Sequence, residues 1–177
     1  GLPASENKAE LELSLLRQRP EVRFRGRVLS LSPRQIEILA LLALNPDGLT
    51  LQTFHAALYE DERVSPNTLK AELSSLRAML AGQIGSRPYR LQTTVWTDVV
   101  EVWELLRRGK PDEALALYNG PLLPSSSSPE LDQWRECIEA AMGAALDKCS
   151  DFETLMQTCD PTAGELVRER LAMLASR

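Results

Sequence analysis

The sequence predicts an α+β N-terminal part, residues 9–95, followed by an all-α C-terminal part, residues 96–177. Alternating apolar and polar residues precede residue 32, three capped helical patterns follow, and only helical patterns occur beyond Thr97. The chain has 177 residues, of which 44% are hydrophobic and 25% charged. This composition is typical of a soluble globular protein with one large or two small domains.

The first elements are strands of a small antiparallel sheet. Apolar residues alternate with polar ones at 11–15 and again at 22–25, which indicates strands with one buried face. Gly26 then turns the chain into a third short strand beginning near Val28.

The first helix has a complete set of start signals. Ser32 is a favourable N-cap, Pro33 occupies the first helical position and Gln35 stands at the capping-box position. Residues 36–44 are apolar on most sides, so we expect this helix to be the buried central one.

A turn of sequence Asn-Pro-Asp-Gly at 45–48 separates the first helix from a second helix at 51–59. Leu49 and Thr50 are expected to add a short strand, with Thr50 also capping the second helix. After the third helix, the unit closes with a hairpin around Arg87-Pro88.

The third helix carries the main functional signal. It opens at Ser65 and runs to Leu80, with leucines on one side (Leu69, Leu73, Leu76 and Leu80). The opposite side carries small polar and basic residues: Asn67, Lys70, Ala71, Ser74, Ser75 and Ala78. Strands, three helices and a terminal hairpin in this order are typical of a winged helix-turn-helix, whose third helix lies in the major groove of DNA.

The C-terminal part reads as helices at about 97–108, 111–119, 129–149, 151–158 and 162–176. Their pairing resembles a TPR-like helical-repeat layer. Three tryptophans are expected at helix positions as core anchors, with a partner-facing role as the alternative: Trp96, Trp103 and Trp134.

The net charge of −5 is unevenly distributed. Residues 1–95 hold 12 Lys and Arg against 10 Asp and Glu, whereas residues 96–177 hold 8 against 15. The acidic half would repel DNA and should face away from it. Its expected role is homodimerisation, contact with RNA polymerase or communication with a sensor domain.

Other classes of function find little support in the sequence. No phosphate-binding loop or zinc motif occurs, and His55 is the only histidine, so we expect no enzyme activity, cofactor or metal. No apolar run approaches the roughly 20 residues of a membrane span, and from the polar N-terminus we expect no secretory signal. The three cysteines fit reduced thiols in a cytoplasmic protein. Because the first residue is Gly rather than Met, an N-terminal sensor domain is expected to be missing.

Several segments resemble actinobacterial transcriptional regulators of the SARP type. Their winged helix, similar to that of OmpR-type response regulators, resembles Leu31–Gln35, Ala57–Asp61, Asn67–Leu69 and Leu76–Arg77. Ala114–Pro124 resembles the signature of the helical bacterial transcriptional activation domain that follows it, and Asp151–Leu174 resembles regulators carrying an N-terminal GAF sensor domain. The resemblance covers about residues 9–176 and implies a DNA-binding transcriptional regulator. In place of the usual Gly-Tyr-Arg-Leu of the wing, this chain has Pro88 before Tyr89.

A winged helix of this kind would contact double-stranded DNA in two ways. Base edges would be contacted by Asn67, Lys70, Ser74 and Ala71, since Asn suits adenine, Lys suits guanine, Ser is permissive and Ala can touch a thymine methyl. Phosphates would be contacted by Thr50, Gln52, Thr68, Arg77, Arg87 and Arg90. The alternative is a protein-interaction module whose winged helix no longer binds DNA, because the third helix has only two cations.

Overall fold

A computed structural model describes residues 9–146 of the chain. Within that range the protein is mixed α/β, with six helices and two small sheets. The helices expected at 151–158 and 162–176, and the end of the one expected at 129–149, lie outside the described residues.

Apart from β6, the elements follow the predicted order. The strands are β1 (Leu11–Ser14), β2 (Glu21–Phe24), β3 (Arg27–Val28), β4 (Ile84–Gly85), β5 (Arg90–Leu91) and β6 (Val95–Thr97). The helices are α1 (Pro33–Ala43), α2 (Leu51–Leu58), α3 (Pro66–Met79), α4 (Asp98–Arg107), α5 (Pro111–Leu117) and α6 (Pro129–Leu146).

The N-terminal sheet has the strand order β3-β2-β1-β6. β1 and β2 are antiparallel, and Leu11 and Leu13 lie opposite Phe24 and Val22. These four side chains are buried, which confirms the predicted alternation. β6 pairs with β1 in parallel, a long-range contact that the sequence did not predict.

α1 is the buried central helix, as predicted. The Ser32 hydroxyl accepts a hydrogen bond from the Gln35 amide at 3.2 Å, and the Gln35 side chain accepts one from the Ser32 amide at 3.0 Å. Every residue from 37 to 43 is buried. The capping box therefore starts a helix that contacts α2, α3 and α6.

The turn at 45–48 brings the β4–β5 hairpin against the start of α2. Leu49 and Tyr89 exchange two backbone hydrogen bonds of 2.9 Å. This isolated bridge replaces the short strand expected at 49–50. Gly48 has φ +98°, and a Cβ there would lie 2.7 Å from the Pro88 Cγ. Only glycine fits this turn without moving the hairpin.

The helical part joins the sheet through β6 and α4. Trp96 lies in β6 and is half-buried, so its predicted helix position was wrong, whereas Trp103 and Trp134 are buried helical residues as expected. The strand pairing keeps the backbone extended up to Thr97, which caps α4. The domain boundary predicted between residues 95 and 96 falls inside this strand and remains a prediction.

Asp98, the first residue of α4, connects the helical part to the end of β1. Its two carboxylate oxygens accept hydrogen bonds of 2.9 Å from the amides of Leu15 and Leu16. Burial raises the pKa of the Asp98 carboxyl above its usual value, although these backbone hydrogen bonds lower it in part.

The N-terminus of α6 docks on the turn after α1 and on the end of α2. The Asn45 amide donates to the Glu130 carboxylate at 2.7 Å, and the Ser128 hydroxyl donates to the Ala57 carbonyl at 2.7 Å. The buried apolar residues of both parts form one continuous core. No helix within residues 9–146 is long and apolar enough to span a membrane.

Candidate nucleic-acid interface

One long face of α3 is buried and the opposite face is exposed. The leucine stripe, Leu69, Leu73, Leu76 and Leu80, packs into the core. The predicted base-contacting residues all lie on the exposed face: Asn67, Lys70, Ala71 and Ser74. The 3.6-residue period therefore predicted correctly which side of the helix is open.

The N-terminus of α3 is held by a local cap. The Ser65 hydroxyl accepts a hydrogen bond from the Asn67 amide at 3.2 Å, and Pro66 occupies the first helical position. Within the described residues, the side chains of Asn67 and Lys70 make no hydrogen bond or ion pair. Both can bind an external partner without breaking an internal contact.

α3, the start of α2 and the hairpin enclose a groove of about 880 Å³. Four predicted contact residues line it: Thr50, Lys70, Arg77 and Arg87. Three of these are cationic, and no acidic side chain lines the groove. The groove is therefore suited to an anionic ligand such as a phosphate backbone.

The other predicted phosphate contacts lie outside the groove. Thr68 and Gln52 are exposed in the first turns of α3 and α2, and Arg90 is exposed on β5. Thr50 caps α2, and its hydroxyl accepts a hydrogen bond from the Thr53 amide at 3.1 Å. This hydroxyl is therefore already engaged at the mouth of the groove.

Arg77 has a structural contact that the sequence did not reveal. Its Nε donates a hydrogen bond of 2.8 Å to the carbonyl of Ile84 in β4. The guanidinium therefore fixes the hairpin to α3, and only its outer nitrogens remain for a phosphate. Sequence reasoning missed this because the partner is a backbone carbonyl, which carries no residue-type signal.

Tyr89 is a second residue that the sequence reasoning missed. It lines the groove, its backbone pairs with Leu49, and its ring meets the Phe54 ring edge-on with centroids 6.4 Å apart. Together with the close contact between Gly48 and Pro88, this packing sets the distance between the hairpin and α2. An aromatic residue beside a proline in a hairpin was the available signal.

His55 has a structural role. Its Nε2 lies 2.6 Å from the carbonyl of Val64, and its ring packs at 4.8 Å on Tyr59. These contacts hold the loop between α2 and α3. Residues 9–146 contain no group of three or more His, Cys, Asp or Glu side chains arranged to hold a metal ion.

Comparisons with known proteins show what the chain is similar to. No family model matches it. It is 37% identical over 138 residues, 77% of its length, to an uncharacterized 47.3 kDa protein in the thcA 5' region of Rhodococcus erythropolis, and it spans only 31% of that protein. Its fold is similar to that of Mycobacterium tuberculosis EmbR, solved in complex with a low-affinity phosphopeptide, with a TM-score of 0.50 and 19% identity. This match covers 80% of the chain and 43% of EmbR. At this identity the likeness concerns the fold.

Proposed function

We propose that this chain is the DNA-binding output region of a larger transcriptional regulator with an N-terminal sensor domain. Residues 9–95 would be an OmpR-like winged helix-turn-helix, and residues 96–177 a helical activation or dimerisation domain. The observation that carries the proposal is the exposed polar face of α3 beside a cationic groove. The resemblance to SARP-type regulators and the fold likeness to EmbR support it.

In this proposal α3 enters the major groove, and its exposed face contacts base edges. Ala71 and Ser74 are small, so the helix backbone can approach the bases closely. Asn67 offers an amide that matches adenine, and Lys70 offers a donor that matches guanine. The β4–β5 hairpin is the proposed wing, and Arg87 and Arg90 at and after its turn would contact the phosphates beside it.

We propose that the protein acts in the cytoplasm. In the bound state, the helical half, residues 96–177, would face away from the DNA. Its acidic excess of 15 Asp and Glu over 8 Lys and Arg would repel phosphates. The same surface suits contact with a second copy of the chain, with RNA polymerase or with the sensor domain.

Substitution of the proposed base contacts tests this function. Duplexes would first be selected from a random library by the chain itself, and affinities measured by fluorescence anisotropy. Lys70→Ala and Asn67→Ala should each cost about 1–3 kcal/mol on selected DNA and much less on random DNA. Lys110→Ala, which removes an exposed cation from the helical half, is the matched control and should leave both affinities unchanged.

An alternative is a protein-interaction module that does not bind DNA. The engagement of Arg77 with the Ile84 carbonyl favours it, since Lys70 is then the one cation of α3 with no described internal contact. Failure to select any duplex, by the chain and by its full-length parent, would support this alternative over DNA binding.

A further inference from the structure

A second cavity, of about 250 Å³, lies at the junction between the two parts of the chain. Three segments meet there: the β1–β2 connection, the start of α1, and the loop at 118–128 between α5 and α6. Its apolar wall includes Pro20, Leu31, Ile36 and Leu123. The cavity is separate from the groove beside α3, with which it shares no lining residue.

The polar lining of the cavity comprises Gln18, Ser125, Ser126 and the carboxylate of Glu37. The Glu37 side chain is only 11% exposed. One carboxylate oxygen accepts a hydrogen bond from the Ser126 hydroxyl, and the other lies 3.5 Å from the Arg34 guanidinium. Because a carboxylate offers about four acceptor positions, it can take a further donor. Since Arg34 already balances its charge, a neutral donor suits it better than a second cation.

The loop that forms one wall is held in a strained conformation. Leu123 has φ +37°, in the left-handed region that side chains other than glycine rarely adopt. Arg135 holds it in place, because its guanidinium donates to the carbonyls of Leu122 at 2.6 Å and Leu123 at 2.5 Å. Such strain persists only where surrounding contacts enforce it, and it concentrates at ligand clamps and switch regions.

We propose that this cavity binds a small neutral molecule with an apolar body and one hydroxyl group. The apolar body would pack between Ile36 and Leu123, and the hydroxyl would donate to Glu37. The volume of about 250 Å³ leaves room for a molecule the size of a substituted benzene ring. This proposal goes beyond the proposed function and does not depend on DNA binding.

Two isomeric probes test the proposal without knowledge of the natural ligand. p-Cresol has an apolar ring and a hydroxyl donor, whereas anisole has the same atoms and no donor. Titrated into the isotope-labelled chain, p-cresol should shift the amide signals of Ile36, Glu37 and Ser126 saturably. It should bind at least about tenfold more tightly than anisole, since a hydrogen bond to a charged acceptor is worth that factor or more. Equal binding of the two probes would overturn the proposal.

Two variants locate the binding. Glu37→Gln keeps the shape and provides a weaker acceptor, so p-cresol should bind more weakly while anisole is unaffected. Ile36→Phe fills the cavity and should abolish binding of both probes. Val28→Phe is the matched control, because it enlarges an apolar residue that is 54% exposed on β3. The site would be refuted if either probe still bound to the Ile36→Phe variant. It would also be refuted if p-cresol caused no shift of the Ile36, Glu37 and Ser126 amide signals in the unsubstituted chain.

Discussion

Replacement of Gly48 by alanine should either destabilise the chain or release the hairpin from α2. A Cβ at this position would lie 2.7 Å and 2.9 Å from two Pro88 carbons and 3.0 Å from the Tyr89 carbonyl oxygen. The left-handed backbone alone costs a non-glycine residue about 1–2 kcal/mol. Overpacking against the hairpin would add about 1–3 kcal/mol if the hairpin stayed in place. The chain therefore either loses about 2–5 kcal/mol of unfolding free energy or releases the hairpin.

Gly26→Ala is the matched control, since Gly26 has φ +82° and a Cβ there would meet no atom within 4 Å. This variant should lose only the unfolding free energy that the left-handed backbone costs a non-glycine residue, about 1–2 kcal/mol. Urea unfolding measures both free energies, and hydrogen exchange of the Tyr89 amide, bonded to the Leu49 carbonyl, reports hairpin docking. The reasoning fails if Gly48→Ala loses no more stability than Gly26→Ala and the Tyr89 amide stays equally protected.

Two further predictions concern the contacts that the helical part makes with the N-terminal sheet, through Asp98, and with α2, through Ser128. Because burial raises the folded-state pKa of Asp98, its contribution to stability is fully present below the unfolded pKa of about 3.9 and is lost as pH rises through the folded pKa. In urea unfolding, the unsubstituted chain should gain stability relative to the Asp98→Asn variant as pH falls from 7 toward 4. A difference in unfolding free energy that does not change with pH would contradict this. Ser128→Ala should cost about 1–3 kcal/mol of unfolding free energy, because the hydroxyl donates to the Ala57 carbonyl and caps α6 by accepting from the Leu131 amide. Ser127 is exposed, so the control Ser127→Ala should cost under about 0.5 kcal/mol. Equal losses in the two serine variants would rule out the interface role.

The sequence predicted local structure better than long-range contacts. Ser32 and Thr50 were identified as caps because a cap depends on a side chain and an amide three residues away. Residues 59 and 80 end their helices as caps rather than as helical residues, which lies within the usual uncertainty of helix ends. Strand β6 was missed because its pairing with β1 spans more than 80 residues, and three residues carry too short a pattern.

The same division applies to the candidate site. The exposed face of α3 followed from the leucine period, since a buried stripe fixes which residues lie opposite it. The groove did not follow, because it depends on where the hairpin sits. That position is set by the Arg77–Ile84 hydrogen bond, whose acceptor is a backbone carbonyl, and by the contact of Pro88 with Gly48, which lie in segments distant in sequence. The predicted contact residues remain predictions until DNA binding is measured.

The salt dependence of DNA binding should reveal how many copies of the chain bind. One module offers about four or five phosphate contacts, which gives a slope of log affinity against log salt of roughly −4. Removal of a groove cation, as in Arg87→Ala, should reduce this slope by about 1. Arg107→Ala, which removes a cation from the ion pair with Glu104 on α4, should not change it.

We expect the acidic helical half to add no phosphate contacts, so tight binding should require a second module. Two copies on repeated half-sites should roughly double the slope, to about −8, and make binding cooperative. We therefore expect the isolated chain to bind DNA weakly and the full-length protein to bind as a dimer, as measured by anisotropy between about 50 and 200 mM salt with sedimentation of the same samples. A chain that stays monomeric at every concentration and still binds a single half-site with nanomolar affinity in physiological salt would contradict this assembly.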